Sequence, residues 1–172
     1  DGTPVAVKIP MEQYTQDGTF LRRFHREAEV AQRIDHPNVV RTYDHGTVGE
    51  QHYLTMEFVD GDSLETFMEH GPVDVPFFVD VALPVVEALA AIHAAGFTHR
   101  DVKPGNVMIG RGAVHEQRPR VDPRAVKLMD FGIAGSLTLT RLTLEGARVG
   151  TPVYMSPEQA RGELMDAASD VY

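Results

Sequence analysis

The run His99-Arg100-Asp101-Val102-Lys103-Pro104-Gly105-Asn106 follows directly on a long apolar helical pattern and leads into the β-rich stretch Val107-Met108-Ile109. Farther on, Asp130-Phe131-Gly132 closes a second β-rich stretch, Ala125 to Met129. Charged side chains between a helix and a strand are costly to bury. Such a run therefore marks a loop carried by a rigid frame, where chemistry concentrates. Each short motif is weak evidence alone. Their order is the constraint: Lys8 in a strand, Glu27 in a helix, the Asp101/Lys103/Asn106 loop, Asp130, then Ser156-Pro157-Glu158.

The segments between these residues supply the frame. Val5-Ala6-Val7-Lys8-Ile9, bounded by Gly2-Thr3-Pro4 and Pro10, predicts a short strand. Phe20 to Ile34 predicts a helix, with Phe20, Phe24, Glu27, Ala31 and Ile34 on one stripe. Glu27 is out of place there: either it reaches the edge of the stripe, or a cation faces it, because a buried unpaired carboxylate is costly. Val39 to Tyr43 and Tyr53 to Phe58 predict two strands joined around Gly46 and Gly49. Asp62-Ser63-Leu64-Glu65 has capping-box spacing and opens a short helix ending near Gly71-Pro72. Phe77 to Ala95 predicts a longer helix that buries Phe78, Val81, Val85, Ala88, Leu89 and Ile92 and stops at Gly96. Pro84 inside it removes a hydrogen bond and is expected to kink it. Arg111 to Arg124, Pro/Arg-rich and polar, predicts a surface loop. Short strands first and helices later, with no internal repeat, make an α+β fold of two lobes.

Charge and composition narrow the partners. The net charge is −9, and residues 1–86 carry 6 Lys+Arg against 15 Asp+Glu, while residues 87–172 carry 10 of each. An acidic excess of this kind repels a phosphate backbone, so nucleic acid is not an expected partner. Phosphate chemistry here needs a few placed cations and a metal ion. The chain has no cysteine, which excludes disulfides and thiolate zinc sites and suits a cytoplasmic setting. No apolar run approaches the ~20 residues that cross a bilayer, so no membrane segment is expected. Among the histidines only His93 and His99 are near in sequence, and their spacing does not place both on one helical face. A transition-metal site is therefore not expected.

The ordered motifs resemble the eukaryotic-like protein kinases, most closely the bacterial serine/threonine kinases. The resemblance runs over nearly the whole chain: Val5-Ala6-Val7-Lys8, His36-Pro37-Asn38, Met56-Glu57-Phe58-Val59, residues 99–106, Asp130-Phe131-Gly132, Gly150-Thr151-Pro152 and Ser169-Asp170-Val171-Tyr172. It implies a bilobal kinase fold, with residues 1–56 in the small lobe, 57–60 as hinge and 61–172 in the large lobe. It implies ATP-dependent phosphorylation of serine and threonine hydroxyls on proteins, with Mg²⁺ or alternatively Mn²⁺. Lys8 would hold the α/β-phosphates and pair with Glu27; Asn106 and Asp130 would bind the metal; Asp101 would orient the substrate alcohol; Lys103 would reach the γ-phosphate. Met56 would be the gatekeeper, the backbone of Glu57 and Val59 would bond the purine, and Ala6 and Met108 would sandwich it. Arg100 would receive a phosphate from the activation loop, with Thr140 or Thr143 as autophosphorylation sites in trans between two copies. Thr151 would face the substrate.

Parts of the family pattern lie outside the chain. The glycine-rich loop would precede Val5, and the central large-lobe helix would begin at Asp170, which ties down the catalytic loop in relatives. The expectation is an internal piece of a kinase domain, with apolar faces uncovered and Glu158 lacking its arginine partner. Such a piece would fold marginally and act poorly alone. The competing reading is a non-catalytic pseudokinase or scaffold, against which the intact Lys8, Glu27, Asp101, Asn106 and Asp130 weigh.

Overall fold

The computed structural model describes residues 2–115, 120–130 and 152–172. Thr140, Thr143, Thr151 and Phe131 lie outside the described residues.

The first sheet has the strand order β1-β3-β2, built from β1 (Val5–Lys8), β2 (Thr42–Val48) and β3 (Gln51–Glu57), all antiparallel. Between β1 and β2 the chain forms the short helix α1 (Glu12–Thr15) and α2 (Gly18–Ala31). Asp17 caps α2, its carboxylate accepting from the Thr19 and Phe20 N–H groups. Phe20, Phe24 and Ala28 of α2 bury against Val40, Leu54 and Met56, with Ala6, Val59 and Met129 packed alongside.

The second sheet has the order β4-β5-β6: β4 (Gly61–Ser63), β5 (Val107–Gly110) and β6 (Val126–Leu128). Gly61 is required at its place, since a Cβ there would stand 2.0 Å from the Ile109 carbonyl oxygen. Behind this sheet lie α3 (Leu64–Glu69) and α4 (Val75–Ala94). Ile92, Val81, Leu128, Val126 and Ile109 form the centre of the larger core, and Ala31, Ile34 and Val39 join it from the other lobe. Asn38 fastens that junction. Its buried amide donates to the Pro123 and Val126 carbonyls at 2.6 and 2.8 Å, and its own carbonyl accepts from Leu128 N–H.

Several expectations shift. The β2 ladder starts at Thr42, and Val39 and Val40 instead bury as a linker. The hairpin turns at Gly49, at φ 61°, while Gly46 lies inside the strand under the Tyr53 ring. Ser63, not Asp62, caps α3, accepting from Thr66 N–H. In α4, capped by Asp74, Phe77 is buried and Phe78 is 54% exposed, because the apolar stripe runs Phe77, Val81, Pro84, Ala88, Ile92. By length and composition α4 alone would suffice to cross a bilayer, contrary to the sequence expectation, yet that buried stripe packs it into the core. Its other face is apolar too: Leu83 and Val86 are exposed beside Phe78.

Candidate functional site

The loop after α4 is built around one buried carboxylate. Asp170, at the end of a short 3₁₀ turn over Ala167–Asp170, accepts from His99 N–H through Oδ2 and from Arg100 N–H through Oδ1, each at 2.7 Å. The His93 ring shares Oδ2, its Nε2 donating at 2.7 Å. The expected tie between Asp170 and the catalytic loop is thus present. His99 is fully buried below it. Its Nε2–H donates to the Met129 carbonyl at 3.1 Å, and its Nδ1 accepts from Asp101 N–H at 3.2 Å, which defines a neutral ring. Burial pushes its pKa down, in the same sense.

Arg100, between them, has φ 69°, a left-handed backbone that a non-glycine residue keeps only when its surroundings hold it. Asp130 shares this trait at φ 61°.

The next side chains converge. Asp101 Oδ2 accepts from Lys103 Nζ at 2.7 Å and from Asn106 Nδ2 at 2.9 Å, and the same Asn106 amide donates to the Asp101 carbonyl at 2.7 Å. Two donors on one oxygen fix the carboxylate and leave Oδ1 for another partner. Asn106 is buried in a 3₁₀ turn over Pro104–Asn106, and its backbone carbonyl accepts from Met129 N–H, one residue before Asp130.

Lys8 comes to this place from β1, and its Nζ donates to Asp130 Oδ1 at 2.7 Å. The expected partner differs here. Glu27 makes no bond to Lys8, and its Oε2 is buried without a hydrogen-bond partner among the described residues. Burial raises the Glu27 pKa to about 7, against the opposing pull of Arg100, Arg23, Lys8 and Arg26. The Lys8 ammonium lies with Asp130 instead. The Arg100 Nε is likewise buried with no partner among the described residues.

At the end of β3, Met56 is buried in the cluster that gathers Ala6 and Val59, and Ala6 pairs with Met56 across the ladder. Met108 lies on β5, in register with Lys127 and outside that cluster. The Glu57 N–H is bonded to the Arg41 carbonyl at 2.8 Å, so this backbone donor is already used. The Glu57 side chain pairs with Lys127 at 2.8 Å.

For a divalent cation, the donor chemistry fits. Asn106 spends its amide nitrogen on Asp101, and no described residue donates to Asn106 Oδ1 or Asp130 Oδ2. One amide oxygen and one carboxylate are hard donors of the kind Mg²⁺ takes, with phosphate oxygens and water completing the shell.

Sequence reasoning missed three features. Lys127 at the hinge carries no local signal. Gln159, which links helix α5 (Pro157–Arg161) to Arg100, reads as an ordinary capping-box residue. His25, His45 and His52 are brought together only when α2 meets the hairpin. The His25 and His52 rings hydrogen-bond at 2.9 Å, and His45 lies 5.4 Å from His25 between centroids. Glu158 finds a different partner from the expected arginine: the Ser169 hydroxyl donates to its carboxylate and holds its pKa down.

The chain is 37% identical over 169 residues to the serine/threonine-protein kinase PrkC of Bacillus subtilis, covering 98% of this chain and 24% of PrkC. It is 39% identical to PknL of Mycobacterium tuberculosis, covering 98% of this chain and 40% of PknL, and 41% identical to PknB of Mycolicibacterium smegmatis, covering 98% and 26%. The chain therefore spans less than half the length of these relatives. Among solved structures, a kinase-domain variant of M. tuberculosis PknI superposes with a TM-score of 0.70 at 30% identity, over 98% of this chain and 60% of that one. The model of the protein kinase domain matches residues 1–172 from end to end. By sequence and by fold, the chain belongs to the protein kinase domain family.

Proposed function

We propose that this chain carries the catalytic centre of an ATP-dependent protein serine/threonine kinase. The observation that carries this reading is the Asp101 carboxylate, held through Oδ2 by Lys103 and Asn106 with Oδ1 left to accept from an alcohol. An ordinary carboxylate is a weak base for an alcohol, so Asp101 chiefly orients the hydroxyl in line with the γ-phosphate. Lys103 places a positive charge beside the reacting oxygens. Asn106 and Asp130 hold Mg²⁺, which when bound neutralises charge on the transferring phosphoryl group. Lys8, already at Asp130, holds the α/β-phosphates.

Residues 57–60 act as hinge, with the Glu57 carbonyl and Val59 N–H reading the purine edge and Ala6, Met56 and Met108 around the ring. Arg100, whose buried Nε has no partner among the described residues, receives an activation-loop phosphate on Thr140 or Thr143, placed there in trans by a second copy. Thr151 faces the substrate hydroxyl. The kinase chain works in the cytoplasm, on proteins that present serine or threonine. The Glu27 Oε2, buried without a partner among the described residues, favours a non-catalytic pseudokinase or scaffold instead.

Incubating the intact protein with γ-phosphate-labelled ATP, Mg²⁺ and a general protein substrate tests this. Label on serine or threonine that falls about 100-fold or more in Asp101→Asn supports the reading. Equal labelling by both proteins overturns it.

A further inference from the structure

The peptide unit joining Arg100 to Asp101 is planar, so its orientation sets the direction of the Asp101 Cα. Its N–H edge is held by His99 Nδ1 at 3.2 Å. Its carbonyl edge is held from a distant part of the chain, where Gln159 Nε2 donates to the Arg100 oxygen at 2.7 Å. Gln159 is 7% exposed. Its other amide atom, Oε1, accepts from Ser156 N–H at 3.0 Å, and its backbone N–H bonds the Ser156 hydroxyl. Both ends of this one amide are therefore used: one closes the capping box of α5, and the other reaches the catalytic loop.

Arg100 is the residue at φ 69°, a conformation that relaxes by rotating one of its flanking peptide units. Asp170 pins the unit before it through Arg100 N–H. Gln159 pins the unit after it.

We infer that Gln159 is a positioning residue for phosphoryl transfer: its side-chain amide holds the Arg100–Asp101 peptide in the orientation that aims the Asp101 carboxylate. The role rests on the kinase reading of Asp101. It also couples the segment from Ser156 to Arg161 to the catalytic loop, so a displacement of α5 reaches Asp101 through one hydrogen bond.

Gln159→Glu separates the two halves of the amide. A carboxylate still accepts from Ser156 N–H and keeps the capping box, while its second oxygen opposes the Arg100 carbonyl instead of donating to it. The titratable and charged groups at the tethered peptide are Arg100, Asp101, His99 and Asp170, with Glu158 and Arg161 on α5 itself, and all are common to both proteins. In the intact protein at pH 8, Q159E is expected to lower kcat about 10-fold with KM for ATP unchanged. The ratio to wild type is expected to recover toward one as the new carboxyl protonates and donates again. Hydrogen exchange of the Arg100 and Asp101 amides is expected to rise about 10-fold at pH 8, with the β2–β3 ladder unaffected.

A ratio that stays near one at every pH overturns the positioning role, and so does faster exchange without loss of kcat. Unchanged exchange overturns the tether itself. A wild type without phosphotransfer, showing the exchange difference, sinks the kinase reading and leaves the tether standing.

Discussion

Lys8 Nζ and Asp130 Oδ1 stand 2.7 Å apart, joining the first strand to the segment that follows β6. Both side chains are partly exposed, at 32% and 23%, so the pair is accessible to a phosphate and a cation that would share its charges. Glu27, on the helix packed against the same sheet, is left as a buried carboxyl without that ammonium.

Glu27 consequently makes stability depend on pH. Its folded pKa of about 7 lies above its ordinary value of 4.5, so the folded state binds more protons than the unfolded state between those values. Stability falls as pH rises through that window and stays lower above it. Glu27→Gln removes the buried charge and should raise Tm at pH 8 by about 2–4 °C, the equivalent of about 1 kcal/mol, with no gain near pH 4.5. Thermal unfolding at the two pH values reads this directly, and an equal shift at both would count against it.

Asp170 satisfies two backbone N–H groups and the His93 ring with one buried carboxylate. Asp170→Ala should cost about 3 kcal/mol, since it leaves buried donors unmet. Denaturant melts give the loss, and amide exchange should speed up first at His99 and Arg100. Exchange that changes evenly over the whole chain would contradict the local account.

The histidine group at the junction of α2 and the β2–β3 hairpin should make the protein acid-labile. Burial, with His52 and His45 adding to it and Glu29 opposing, lowers the His25 pKa. The unfolded state then binds more protons, so stability is lost as pH falls below the ordinary histidine value of about 6.5. His52 Nδ1 also contacts the Thr47 hydroxyl at 3.0 Å, and protonating both rings sets N–H against N–H across the His25–His52 contact. A His25→Gln variant should flatten the fall in Tm between pH 7 and pH 5.5. An unchanged slope would show that other groups govern it.

Much of this arrangement was legible in residue order. Lys8 and Asp130 stand 122 positions apart and the fold pairs them, while Asp101, Lys103 and Asn106 share one loop and hydrogen-bond as a second group. Local pattern failed where tertiary contact decides. Val39 and Val40 look like the start of a strand, but beside the Asn38 anchor Val39 buries in the larger core and Val40 under α2. Phe77 and Phe78 are chemically equal, and only the helix start at Asp74 decides which is buried. β4 is three residues of poor β propensity, formed because Gly61 allows β5 to approach. Pairing between carboxylates and cations was the least legible, because Glu27 and Asp130 are both candidate partners for Lys8 in the sequence and only the folded chain shows that Asp130 takes it.

On the proposed kinase reading, Asp130 and Asn106 would hold a divalent ion that escorts the terminal phosphate of ATP to a serine or threonine. The most direct measurement is label transfer from γ-phosphate-labelled ATP as Mg²⁺ is titrated, comparing the intact wild-type protein with Asp130→Asn. The account predicts transfer that rises with Mg²⁺ in the wild type and falls about 100-fold or more in the variant at every Mg²⁺ concentration. Equal, metal-independent transfer in the two proteins, or none in either while ATP still binds, would contradict it.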